Sequence, residues 1–254
     1  MKRIVVRQGY GDTRVVVVQD VEALARAAAD RFVALARAAV ESRGRFSVAL
    51  SGGSTPGDTY RLLSTEHYRS QVPWRGVHLF WGDERCVPPD HDGSNYRLAR
   101  EALIDWVPIP AENVHRVRGE LVPGAAARSY DLELQDYFCG PRPRLDLVFL
   151  GLGSDGHIAA LFPDSDALKA TENVATVEAQ YQDRPAWRVT LTLPAINAAR
   201  DVLFMVSGGE KAAIVRAVLD DSLDSFPARH VRPLAGAVAW LIDEAAAAEL
   251  TDRP

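Results

Sequence analysis

Four consecutive valines, Val15 to Val18, predict a strand over residues 14–19. Asp20 then suits a helix N-cap. Val21, Leu24, Ala25, Ala28, Phe32, Leu35, Ala36 and Ala39 recur at helical spacing up to about Ser42, and Gly44 stops that helix. The apolar run 46–50 predicts a second strand, followed at once by Ser51-Gly52-Gly53-Ser54-Thr55-Pro56-Gly57, where Pro56 suits the first turn of a new helix. The order of strand, polar loop and helix then repeats. Residues 77–81 lead into Gly82-Asp83-Glu84-Arg85, and Ser94 caps a helix carrying Tyr96, Leu98, Ala99, Ala102 and Leu103. Residues 125–138 predict a helix, and 145–150 a strand running into Gly151-Leu152-Gly153-Ser154-Asp155-Gly156-His157. Residues 188–193 alternate like a half-exposed strand. Residues 202–206 predict a strand, Ser207-Gly208-Gly209 a loop, and 210–219 a helix; 238–242 predict a last strand before an alanine-rich terminal helix.

Strands that alternate with helices imply an α/β fold. The expected architecture is a mostly parallel sheet with helices on both faces, Rossmann-like and doubly wound. In such sheets ligands bind beyond the carboxyl ends of the strands, where the four loops rich in Gly, Ser or Asp lie. No linker or repeat divides the 254 residues, so one domain over 1–254 is expected.

Composition narrows the function classes. A net charge of −5 argues against nucleic-acid binding, which needs many Lys and Arg at phosphates. The two cysteines, Cys86 and Cys139, make no disulfide framework and have no metal-type spacing. The N-terminal apolar stretch is too short for a signal peptide, and no segment approaches a membrane span. A cytoplasmic protein, without membrane association, is expected. Its oligomeric state is left open between monomer and small homo-oligomer.

Three constellations carry chemistry. In Ser51 to Thr55, Gly52 and Gly53 let backbone N–H groups turn toward a ligand. Ser51, Ser54 and Thr55 add hydroxyls, and the following helix adds its positive end, which together suit a phosphate. Taken alone, the loop is equally a tight strand-to-helix turn. It is not a P-loop, since no Gly-Lys-Ser/Thr follows. The second is Asp155 and His157, two apart behind a Gly-rich strand end, where both can face one cleft; His takes and returns protons near neutral pH. The third is Asp83-Glu84-Arg85, able to orient sugar hydroxyls and pair with phosphate, or equally to form a surface ion pair. Lys211 can reach an anion from a helix start. His67, His78, His91, His115 and His230 lack such surroundings and read as non-catalytic. No His-x-x-x-His or nucleophile elbow is present, so neither a metal, a cofactor nor a covalent serine intermediate is expected.

Together these segments resemble the 6-phosphogluconolactonase family. The carriers are Ala49-Leu50-Ser51-Gly52-Gly53-Ser54-Thr55-Pro56, Trp81-Gly82-Asp83-Glu84-Arg85-Cys86-Val87-Pro88 with Ser94-Asn95-Tyr96, the stretch from Leu150 to Pro163, and Val206-Ser207-Gly208-Gly209-Glu210-Lys211. Glucosamine-6-phosphate deaminases share much of this, but a glutamate stands there where this chain has Phe162. Ile158 and Asp164 are small departures, where the family often has threonine and glycine.

The resemblance implies a hydrolase acting on a small phosphorylated sugar lactone, 6-phospho-D-glucono-1,5-lactone. His157 would be general base and Asp155 its orienting partner. Ser51 to Thr55, Arg85 and Lys211 would hold the phosphate, and Asp83, Glu84 and Asn95 would meet the sugar. Loop N–H groups near Gly153, or Arg85, would steady the oxyanion. The alternatives are a deaminase or isomerase of the same fold, or a non-catalytic sugar-phosphate sensor.

Overall fold

A computed structural model describes residues 2–8, 11–179, 186–219 and 225–250. In chain order its principal elements are β1 (Lys2–Gln8), β2 (Gly11–Val18), α1 (Val21–Arg43), β3 (Phe46–Leu50), α2 (Ser54–Leu63), α3 (Glu66–Arg69), β4 (Val77–Trp81), β5 (Asp83–Arg85), α4 (Asn95–Ala102), α5 (Pro123–Phe138), β6 (Leu147–Leu150), β7 (Val174–Glu178), β8 (Trp187–Leu191), α6 (Leu193–Ile196), β9 (Asp201–Val206), α7 (Ala212–Leu219) and β10 (Ala237–Asp243).

The larger sheet runs β1-β2-β10-β9-β6-β3-β4, and every pairing in it is parallel except β1 with β2. Helices flank it, as the alternation of elements predicts. Strand β3 and its neighbour β6 mark the switch point: the chain leaves β3 toward β4, then returns to β6 and moves on to β9 and β10. The loops after β3 and β6 therefore diverge and open a crevice between them.

Local signals account for the long first helix. Asp20 caps α1 by accepting from the Ala23 N–H at 2.8 Å, and Gly44 ends it at φ 75°. Its apolar stripe buries Leu24, Ala28, Phe32 and Ala36, and Phe32 meets Phe46 edge-on at 5.3 Å. Val21, expected in the stripe, is exposed at the helix start.

Two expectations are corrected. The half-exposed strand near 188–193 is β8, buried from Arg188 to Leu191, in a small antiparallel sheet of order β5-β8-β7. Helix α5 packs on that sheet, which removes the solvent face that alternation suggested. The alanine-rich end is a run of turns over 244–249, not a helix. Asp243 organises it, accepting from the Ala246 N–H at 2.7 Å. So short a segment gains too few hydrogen bonds to offset the cost of a helical nucleus. No helix among the described residues is long and apolar enough to cross a membrane.

Candidate active site

The carboxyl ends of β3, β6 and β9 and the small sheet β5–β8 face one cleft. Residues 51–55, Asp83, Arg85, Asn95, Gly151 to Gly153, His157, Arg188, Ser207 and Lys211 all line it. The structure thus brings residues from every predicted constellation to one cleft. Among the described lining residues, three cations accompany one carboxylate, in a chain of net charge −5. The local surplus favours an anion where the total charge does not.

The loop after β3 is clamped from below. Buried Tyr60 donates its hydroxyl to the Ser51 carbonyl (2.8 Å) and accepts the Ser51 N–H (2.9 Å). Beyond it, Gly53 takes φ 103° and leads into α2, whose first N–H groups have no partner within the helix and so suit an anion. Thr55 and Ser207 share a hydroxyl contact at 2.9 Å, tying this loop to the one after β9. That second loop is held by Asp243, which accepts the Gly208 N–H at 3.1 Å. A second tyrosine repeats the clamp on β4: Tyr130 bonds both the N–H and the carbonyl of Trp81, at 2.8 and 2.9 Å. The floor of the cleft is therefore rigid backbone.

After β6, His157 Nδ1 meets Asp155 Oδ1 at 2.5 Å, and Asp155 also accepts the His157 N–H at 3.2 Å. A carboxylate accepts, so the Nδ1–H donates to Asp155 and the basic lone pair lies on Nε2. Phe162 packs on the imidazole, with centroids 4.5 Å apart. Burial holds the His157 pKa below the ordinary histidine value; the Asp155 charge and hydrogen bond and the Asp83 charge oppose this, and Arg188 adds to the lowering. The ring is accordingly neutral near pH 7 and able to accept a proton.

Gly153 is required for space. A Cβ there would stand 2.0 Å from His157 Nδ1 and 2.6 Å from Asp155 Oδ1. Its N–H donates to the His157 carbonyl at 2.9 Å, so among the loop N–H groups near Gly153 this one is committed to the turn. Asp164, where the family resemblance expects glycine, holds φ 60°.

Strand alternation sorts the third constellation. Asp83 and Arg85 face the cleft, whereas Glu84 points away and is almost fully buried. Its carboxylate accepts the N–H groups of Arg85, Asn95 and Tyr96, each at 2.7 Å, and the Ser94 hydroxyl at 3.0 Å. Glu84 caps α4 and is not a cleft residue, contrary to expectation. Burial raises its pKa, against those backbone N–H groups. Asn95 spends its amide N–H on the Asp83 carbonyl (2.8 Å) and Oδ1 (3.2 Å), and its own Oδ1 lies over Gly52. Arg85 is steered by a hydrogen bond to the Gly93 carbonyl at 2.6 Å. Lys211 Nζ reaches across to the Leu152 carbonyl at 2.8 Å, linking the loops after β6 and β9.

Sequence reasoning missed Arg188. It is buried, lines the cleft, and is the direct cross-strand partner of Arg85 in the β5–β8 ladder. The signal was present in Arg188-Val189-Thr190, whose first and third residues share a face. Only the pairing with β5 shows that this face is that of Asp83 and Arg85.

Cys86 does not line the cleft, and burial, with Glu84, pushes its thiol up to about 11. Among the described residues no group of three or more His, Cys, Asp or Glu is gathered to hold a metal ion. His78 and His115 sit elsewhere, with His78 Nδ1 3.1 Å from His115 Nε2 and His115 Nδ1 2.7 Å from Glu133. Burial, then His115 and Arg45, lower the His78 pKa to about 4. The unfolded chain therefore binds this proton first, and stability falls as pH drops from about 6.5 toward 4. Denaturant midpoints measured across that range should decline less steeply in His78→Gln.

Comparisons with known proteins find one family. Residues 19–240 match the family model described as glucosamine-6-phosphate isomerases/6-phosphogluconolactonase. A 6-phosphogluconolactonase of Nostoc is 41% identical over 241 residues, 92% of this chain and 97% of that protein. One from Synechocystis is 40% identical, covering 84% of this chain and 88% of the relative. A solved 6-phosphogluconolactonase from Trypanosoma brucei superposes with a TM-score of 0.84 at 32% identity, over 96% of this chain and all of that one.

Proposed function

The chain belongs to the glucosamine-6-phosphate isomerase/6-phosphogluconolactonase family, and from that premise we propose that it hydrolyses 6-phospho-D-glucono-1,5-lactone to 6-phospho-D-gluconate in the cytoplasm. The observation that carries this reading is the placement of one histidine, hydrogen-bonded to Asp155 at 2.5 Å, in the same cleft as the 51–55 anion cradle.

The phosphate sits on the N–H and hydroxyl groups of Ser51 to Thr55, with Arg85 and Lys211 as charged partners. Anchored there, the lactone presents its distant carbonyl to His157, and part of the barrier is met by positioning. His157 Nε2 takes a proton from water as the water oxygen bonds to the carbonyl carbon. Asp155 stabilises the imidazolium formed. The tetrahedral intermediate reforms its C=O and breaks the bond to the ring oxygen, which takes the proton from Nε2. Asp83 and the Asn95 carbonyl oxygen lie where sugar hydroxyls can meet them. The apolar Phe162, packed against the base, offers no second acid or base for ring isomerisation, which favours hydrolysis over the deaminase chemistry of the same fold.

Turnover above the spontaneous rate, followed by proton release from the lactone, tests the reading; a rate equal to the uncatalysed one ends it. In the same assay Lys211→Ala should raise KM about 10–100-fold with kcat nearly kept, as expected for loss of one charged hydrogen bond. An unchanged KM removes Lys211 from the phosphate site.

A further inference from the structure

We propose that Arg188 is the group that holds the developing oxyanion at the lactone carbonyl, while Arg85 serves the phosphate; this rests on the hydrolase reading above. The two guanidinium groups project from adjacent strands, as direct partners on the same face of the small sheet. They differ in surroundings. Arg85 is partly exposed and turned toward the α4 end of the cleft by the Gly93 carbonyl. Arg188 is buried and lies over the Phe162 ring at 5.4 Å, and His157 packs on the same ring, with centroids 4.5 Å apart. Imidazole and guanidinium are therefore held on one phenyl ring, in one cleft wall. The Arg188 charge is felt at His157, where it disfavours the imidazolium.

That position suits one task. The nucleophile is water activated at Nε2, and the carbonyl it attacks must lie beside the imidazole. As the new C–O bond forms, the carbonyl π pair moves onto oxygen, and a fixed cation in a water-poor wall stabilises that charge more than it stabilises the neutral ester. When the pair returns, the bond to the ring oxygen breaks and the imidazolium supplies its proton, so Arg188 neither gains nor loses a proton. The backbone alternative at Gly153 is spent on the His157 carbonyl.

The test compares Arg188→Gln, Arg188→Lys and Arg85→Gln with the unmodified protein. Activity of the unmodified protein on the lactone is the control; its absence overturns the hydrolase reading itself. With that activity present, Arg188→Gln should lose about 10²–10³-fold in kcat, the usual loss for one oxyanion donor. The inhibition constant for inorganic phosphate should stay within about twofold of wild type (a loss of one phosphate contact costs more than tenfold). The acid limb of its kcat/KM profile should move to higher pH, because His157 is protonated more readily once the neighbouring cation is gone. Arg85→Gln should weaken phosphate inhibition and raise KM, with a smaller loss in kcat than Arg188→Gln. If Arg188→Gln does not fold, Arg188→Lys decides: the charge without the planar fork should give a kcat clearly below that of the unmodified protein, with phosphate inhibition unaltered. Wild-type kcat in the folded Gln variant, or in Lys where only Lys folds, overturns the assignment, as does a loss confined to phosphate affinity.

Discussion

His157→Ala should fold, still be inhibited by inorganic phosphate, and open the lactone about 10²–10⁴-fold more slowly than the unmodified protein. The size follows from losing a general base that Asp155 orients at 2.5 Å and that Phe162 shields. The phosphate cradle stands on a different strand, braced by Tyr60, and does not depend on the imidazole. Stopped-flow proton release, corrected for spontaneous hydrolysis, measures the loss. In the unmodified protein the same assay should show activity falling with acid only below the ordinary histidine range, because burial lowers this pKa. Unaltered turnover in the alanine variant would remove the proposed base.

Gly153→Ala should be nearly as damaging, although no reacting group is deleted. The added methyl would lie 2.0 Å from Nδ1 and 2.3 Å from Cε1 of His157, so the imidazole must move by more than an ångström or lose Asp155. A shift of that size in a positioned catalytic group costs about 10²-fold. The clash is with side chains at the open cleft, so the thermal midpoint should change little while kcat falls. Near-normal kcat in this variant would show that the observed His157–Asp155 geometry is not the working one.

The sequence made the main frame legible because its strongest signals are local. Asp20 and Gly44 bracket α1, the run 46–50 is a strand buried throughout, and four polar loops follow strands. Long-range facts were harder to read. Strand β5 has only three residues, so the alternation that separates Asp83 and Arg85 from Glu84 was invisible until β8 supplied its partner. Arg188 entered the site by the same pairing, across about a hundred residues of chain. At 244–249 alanine content suggested a helix, yet the Asp243 carboxylate, aimed at Gly208 and Ala246, folds the segment into turns that steady a cleft loop. The oxyanion donors stayed open between loop N–H groups near Gly153 and Arg85; the Gly153 N–H itself is taken by the His157 carbonyl. For Asp83, Arg85 and Arg188 the deciding contact is the β5–β8 pairing, far outside the window that sets local preference.

One measurement bears most directly on the account: the structure of the protein bound to 6-phosphogluconate, the proposed product. The phosphate should rest on the Ser51 to Thr55 loop, with one C1 carboxylate oxygen about 2.6–3.2 Å from His157 Nε2 and the other toward Arg188. A ligand bound the other way round, with its phosphate against His157 and its carboxylate in the cradle, would contradict it.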